Sequence, residues 1–89
     1  MPLSSSVADH YRSNRETHLE GLKSLIRIPS ISALPAHKDD VRKAAEFIAD
    51  EFRALGLDSV ELIESKGHPL VYAEWRKAEG KPTILLYGH

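Results

Sequence analysis

At 89 residues, with 42% apolar and 28% charged side chains and a net charge of −1, the chain has the composition of one ordinary globular domain at most. The near-neutral balance argues against a nucleic-acid or anionic-membrane surface, and the absence of cysteine rules out disulfides and thiolate metal sites, leaving His, Asp and Glu as metal donors. No basic stretch followed by an apolar core opens the chain, and no apolar run approaches about 18 residues, so a cytoplasmic protein with no membrane contact is expected.

A chain this short buries only about 60 to 65% of its unfolded surface and is marginal by itself. From the serines at 4 to 6, which offer N-caps, the residues Val7, Tyr11, Leu19, Leu22, Leu25 and Ile26 fall on one helical stripe. This predicts a helix that stops near Arg27, because Pro29 disfavours helical geometry at Ile28, with Gly21 as its weak spot. The stretch "IPSISALPAHK", with a second proline at position 35, reads as an extended loop.

In "DDVRKAAEFIADEFRALGL" the apolar residues Val41, Ala45, Ile48, Phe52 and Leu55 recur at steps of four and three, while Arg42, Lys43, Glu46, Asp50 and Arg53 take the other side. Asp39 and Asp40 suit the start of this second helix, and Gly56 suits the left-handed residue that ends it. After Gly56 the period changes from 3.6 to 2. "SVELIES" reads as a first strand, "KGHP" as a break, and "LVYAEWR" as a second strand with Val71, Ala73 and Trp75 on one face. "KAEGKP" is the next turn, and the run Ile84 to Tyr87, apolar on both faces, reads as a third, central strand. Two helices followed by three strands predict an α/β sheet, and the elements needed to cover both of its faces are not all present.

In open α/β sheets ligands bind beyond the carboxyl ends of the strands, and His89 stands at such an end behind Gly88. Glycine leaves room for close approach, and imidazole is a common ligand for zinc or a similar ion; a hydrogen-bonded structural histidine is the alternative. The remaining histidines have weaker claims. His10 and His18 are eight residues apart, about 80° around a helix axis, which places them poorly for sharing a metal. His37 in its proline-bounded loop and His68 before Pro69 read as surface and turn residues. Glu61, Glu64 and Glu74 read as strand-face charges, and Trp75, Phe47 and Phe52 as core or core-edge residues. Ser30 and Ser32 lack the Gly-x-Ser-x-Gly surroundings of a nucleophile elbow.

Four segments, "LKSLIRIPSIS", "VRKAAEFIADEFRALGL", "HPLVYAEW" and "KPTILLYGH", resemble in order and spacing the N-terminus of the co-catalytic metallopeptidase family of aminoacylase, carnosine dipeptidase and glutamate carboxypeptidase. The likeness looks closest to the dipeptidase branch, in which a strand ends in Tyr-Gly-His. It implies that residues 1–89 form the N-terminal part of a phosphorylase/hydrolase-like catalytic domain, truncated, with the rest of that domain and the lid domain absent. It also implies a mixed sheet in which the first strand lies between the other two, parallel to the third and antiparallel to the second. Simple chain-order pairing would instead give a meander, but the alternating "LVYAEWR" suits an edge.

The resemblance further implies a dipeptidase or amidohydrolase that cleaves the peptide bond of dipeptides, other small peptides or N-acyl amino acids. Two divalent ions, zinc or else manganese or cobalt, would activate a bridging water while a glutamate relays the proton. In this family the histidine corresponding to His89 is a metal ligand; the other ligands and the general base would follow residue 89. One imidazole cannot hold a zinc ion that takes four donors, so the chain alone should be catalytically silent. A homodimer through the lid domain is compatible with the resemblance, and no nucleic-acid partner is implied. Two other classes compete: the start of an α/β serine hydrolase, which would want glycines after His89 and a strand-rich opening, and a non-catalytic structural or interaction piece.

Overall fold

The computed structural model describes residues 4–89. Among them are three α-helices, one turn of 3-10 helix and a two-stranded antiparallel sheet, an α/β composition. The chain parts after Ala44, within the third α-helix, into two compact units.

In the first unit, α1 (Ser5–Ser13) starts from Ser4, whose Oγ accepts the Val7 N–H at 3.3 Å. A side-chain oxygen there satisfies one of the N–H groups that a helix start leaves without a partner. The single helix expected up to Arg27 is instead two helices. The chain leaves the helical well at Asn14, with φ −112° and ψ 11°, and α2 (Arg15–Ile26) resumes after it. The cause is local: the Asn14 side-chain amide donates to the His10 carbonyl at 2.9 Å, the same oxygen that accepts the Asn14 backbone N–H at 3.1 Å. A side chain that bonds back onto the carbonyl four residues earlier competes with the helical ladder and bends it.

As expected, α2 ends at Arg27, two residues before Pro29. The expected extended loop is compact at its far end, where Pro35–His37 forms the 3-10 turn with the proline at its first position. The apolar stripe of this unit is not a buried one. Val7, Tyr11, Leu19, Leu22 and Ile26 are all exposed and Leu25 is half-buried.

Helix α3 (Lys38–Ala54) carries Asp39 and Asp40 in its first turn, where carboxylates favour the positive end of the helix dipole. Ala44, Ala45 and Ala49 are the buried hydrophobic residues of the described chain, and Ala49 is fully buried at 0% exposure. Val41, Ile48 and Phe52 are half-buried beside them, in keeping with the face predicted from periodicity. Leu55 departs from that face: it lies past the last helical residue and is 74% exposed. The helix closes through Gly56 at φ 81°, with Gly56 N–H donating to the Arg53 carbonyl at 3.0 Å and Leu57 N–H to the Phe52 carbonyl at 3.3 Å. That pair of bonds is the Schellman arrangement, which needs a left-handed residue and so favours glycine.

Strand β1 (Ser59–Ile63) pairs antiparallel with β2 (Leu70–Glu74), in a register that sets Val60 against Ala73 and Leu62 against Val71 on a half-buried face. Both strands stop two residues short of their predicted ends. In the connecting loop, Ser65 Oγ donates to the His68 carbonyl at 2.9 Å and accepts the Gly67 N–H at 3.2 Å. At the open end Asp58 spans both strands. Its N–H donates to the Glu74 carbonyl at 2.8 Å, its Oδ2 accepts the Arg76 N–H at 2.7 Å, and its Oδ1 lies 3.3 Å from Lys77 Nζ. Trp75, just past β2, is exposed rather than part of a core.

The third strand is not formed. Residues 82–89 carry no ladder, and Ile84, Leu85, Leu86 and Tyr87 are 77% to 87% exposed. A run apolar on both faces is stable as a strand only with a hydrogen-bonded neighbour and cover on each side, and at this exposure it has neither. Of the three-strand order expected, the antiparallel pairing of β1 with β2 is formed, and the sheet has two strands.

Two outcomes are expected. Ala49→Asp places a charge where no water reaches and should cost several kcal/mol, unfolding the chain, whereas Glu46→Ala on the exposed face should leave the thermal midpoint in circular dichroism almost unchanged. The second concerns Asp58, whose carboxyl is held below the usual carboxylate range by the Arg76 N–H and, to a lesser degree, by Lys77, against the opposing effect of partial desolvation. A lowered folded-state pKa contributes stability above the ordinary value near 3.9 and loses it as pH falls through the folded value. Asp58→Ala should thus lower the melting temperature by a few degrees at pH 7, and the two melting curves should converge in acid once both chains lack the carboxylate.

Candidate functional site

The Gly88–His89 pair ends the apolar run, and both residues are exposed. A Cβ built on Gly88 would meet nothing within 4 Å, so the backbone there is open to approach from any side. No group of three or more His, Asp or Glu side chains that could hold a metal exists among the described residues. A structural or catalytic zinc takes three or four protein donors. The residues present do not by themselves fit such an ion, and His89 offers one donor to it.

The other histidines are better tied into the fold than the sequence predicts. His37 closes the 3-10 turn half-buried, with its Nδ1 at 2.9 Å from Asp40 Oδ2, and Lys43 Nζ stands 3.9 Å from the other oxygen of that carboxylate. His37 is therefore not a plain surface loop residue. The signal for it lay in the three-residue spacing to Asp40, which places both side chains on one side of a helical turn. His68 is half-buried in the loop between β1 and β2, close to its expected role.

His10 and His18 need a larger revision. Their ring centroids are 6.0 Å apart with an interplanar angle of 44°, although a straight helix would separate the residues by about 12 Å along its axis and about 80° around it. Asn14, midway between them, leaves the helical dihedrals, and its side-chain amide also sits 3.5 Å from His10 Nδ1.

Glu74 Oε1 accepts the Tyr72 hydroxyl at 2.6 Å, which raises the phenol's pKa because the neutral donor form is favoured beside a negative acceptor. Glu61 is an exposed strand-face charge, as expected. A shallow hollow of about 470 Å³ lies under the turn after β2, lined among others by Trp75, Arg76, Glu79, Lys81 and Ile84. His89 is not part of its lining, so this hollow and the strand-end histidine do not coincide.

No family model matches the chain, and no solved structure matches it. Among curated proteins, the chain is 29% identical over 83 residues to the Cys-Gly metallodipeptidase DUG1 of Candida albicans, an alignment covering 80% of this chain and 17% of the relative. The chain thus spans under a fifth of the length of the curated relative it matches. This is a distant relationship to a metallodipeptidase, and it does not single out one branch of such enzymes. No helix among the described residues is long and apolar enough to cross a membrane.

Proposed function

We propose that residues 1–89 are the opening part of the catalytic domain of a metal-dependent dipeptidase-type hydrolase, with His89 as one ligand of a divalent metal ion. The observation that carries this reading is the 29% identity to a Cys-Gly metallodipeptidase across 80% of the chain, together with an apolar run that ends in Gly88–His89. The substrate class is a dipeptide or another small molecule with a hydrolysable amide bond, of which a Cys-Gly dipeptide is one example. Zinc is the proposed metal, with manganese or cobalt able to replace it, and two ions per active site follow the family resemblance. The remaining donors and the general base belong to sequence after residue 89. A lid domain and a homodimer formed through it belong to the same proposal, as does a cytoplasmic location.

Two consequences can be measured. The purified 89-residue chain should release no free amino acid from dipeptides in the presence of added zinc, manganese or cobalt, because one imidazole cannot hold the ion in place. Turnover that disappears on changing His89 would overturn the assignment of the missing donors. In the longer protein, His89→Ala should lower activity by orders of magnitude and reduce bound metal, measured by elemental analysis after dialysis, from about two ions per chain toward one. The melting temperature of the metal-free protein should stay close to that of the parent. A drop in melting temperature with metal content and turnover preserved would make His89 a structural residue instead.

A further inference from the structure

We propose that His10 and His18 form a second, independent metal site, a two-imidazole clamp for borderline transition-metal ions such as Cu²⁺ or Ni²⁺. Geometry comes first. With a metal–nitrogen distance of about 2.0 to 2.1 Å, an ion lies about 3.2 Å from the centre of each imidazole it binds, so two rings on one ion stand about 4.5 to 6.4 Å apart as the angle between them opens from 90° to 180°. The observed 6.0 Å falls inside that window, and a rotamer adjustment of under 1 Å would reach the tetrahedral separation of about 5.2 Å.

His10 and His18 flank Asn14 symmetrically, four residues to each side, where the chain leaves helical dihedrals between α1 and α2, and their rings stand closer than the axial separation of about 12 Å in a straight helix. The Asn14 amide donates to the His10 carbonyl at 2.9 Å, and its nitrogen lies 3.5 Å from His10 Nδ1. Both histidines are exposed, so an ion reaches them without any rearrangement of the fold.

The donor set defines the ligand class. Two imidazoles select Cu²⁺ and Ni²⁺ over Mg²⁺ and Ca²⁺, with Cu²⁺ the tighter by the usual order of stability. Because no third protein donor joins the pair among the described residues, water completes the coordination sphere and the site is an exchangeable one. This separates it from the site proposed at His89, which lies in the other compact unit and draws on different residues.

The test is calorimetric titration of the 89-residue chain with Cu²⁺ and Ni²⁺ chlorides at neutral pH, with Mg²⁺ as the hard-ion control. A second imidazole held beside the first acts at high effective concentration, so the parent chain should bind one ion at least about tenfold more tightly than His10→Ala or His18→Ala. His37→Ala should bind like the parent. Asn14→Ala keeps both histidines but favours an unbroken helix, and should lose the same factor of about ten. Circular dichroism of each variant without metal reports whether its helices survive. The proposal is overturned if neither ion binds, if either single-histidine variant binds within twofold of the parent, if affinity falls with His37 instead, or if Asn14→Ala retains full affinity.

Discussion

The Asp58 carboxylate is where the second unit is tied together. It accepts the Arg76 N–H at 2.7 Å and faces the Lys77 ammonium, while its own backbone N–H donates to Glu74. The residue that leads out of the α3 cap and the residues that follow β2 are thus held at one point. This junction closes the open end of the hairpin, just before the turn that leads to the apolar run toward His89. An ion pair on an exposed surface contributes little, but a carboxylate bonded to a backbone N–H also fixes direction, and here direction is what the downstream residues need.

Dependence on individual hydrogen bonds is what the shortage of buried apolar surface would lead one to expect. The buried hydrophobic residues are three alanines on one helix, and no large side chain among the described residues is fully enclosed. Methyl groups remove little area from water, so burial at these positions contributes only a small part of what a domain core normally supplies. Order is carried instead by bonds between residues close in sequence: the Ser4 cap, the Asn14 back-bond, His37 with Asp40, the Schellman closure at Gly56 and the Ser65 loop. Each acts within a few residues, and together they make a set of well-defined elements.

That distribution explains which features the sequence revealed. Helix α3, its end at Gly56 and the antiparallel strands are written in local periodicity and turn chemistry, and each forms near its predicted place. The break at Asn14 escaped because the apolar stripe runs straight through it, and periodicity is blind to one side chain bonding back to its own helix. The His10–His18 approach is likewise invisible to an ideal helix axis, which holds the two residues about 12 Å apart. For Ile84 to Tyr87 the pattern described a strand correctly patterned for burial, but pairing and cover are properties of neighbours, which no run of residues specifies about itself. His89 was legible only through its place after a glycine and through family resemblance; its own surroundings add one exposed donor and no more.

The exposed run also has a bearing on handling and on biogenesis. Thr83 to Tyr87 contains no charge and no proline, is rich in β-forming and bulky apolar side chains, and presents nearly all of them to water. Such a window is a template for cross-β stacking, with Lys81 and Pro82 standing as gatekeepers on its N-terminal side alone. Colloidal lifetime of the chain should therefore be governed by concentration and by how quickly this window is occupied, so that dilution or a holdase chaperone would preserve it better than any gain in helix stability.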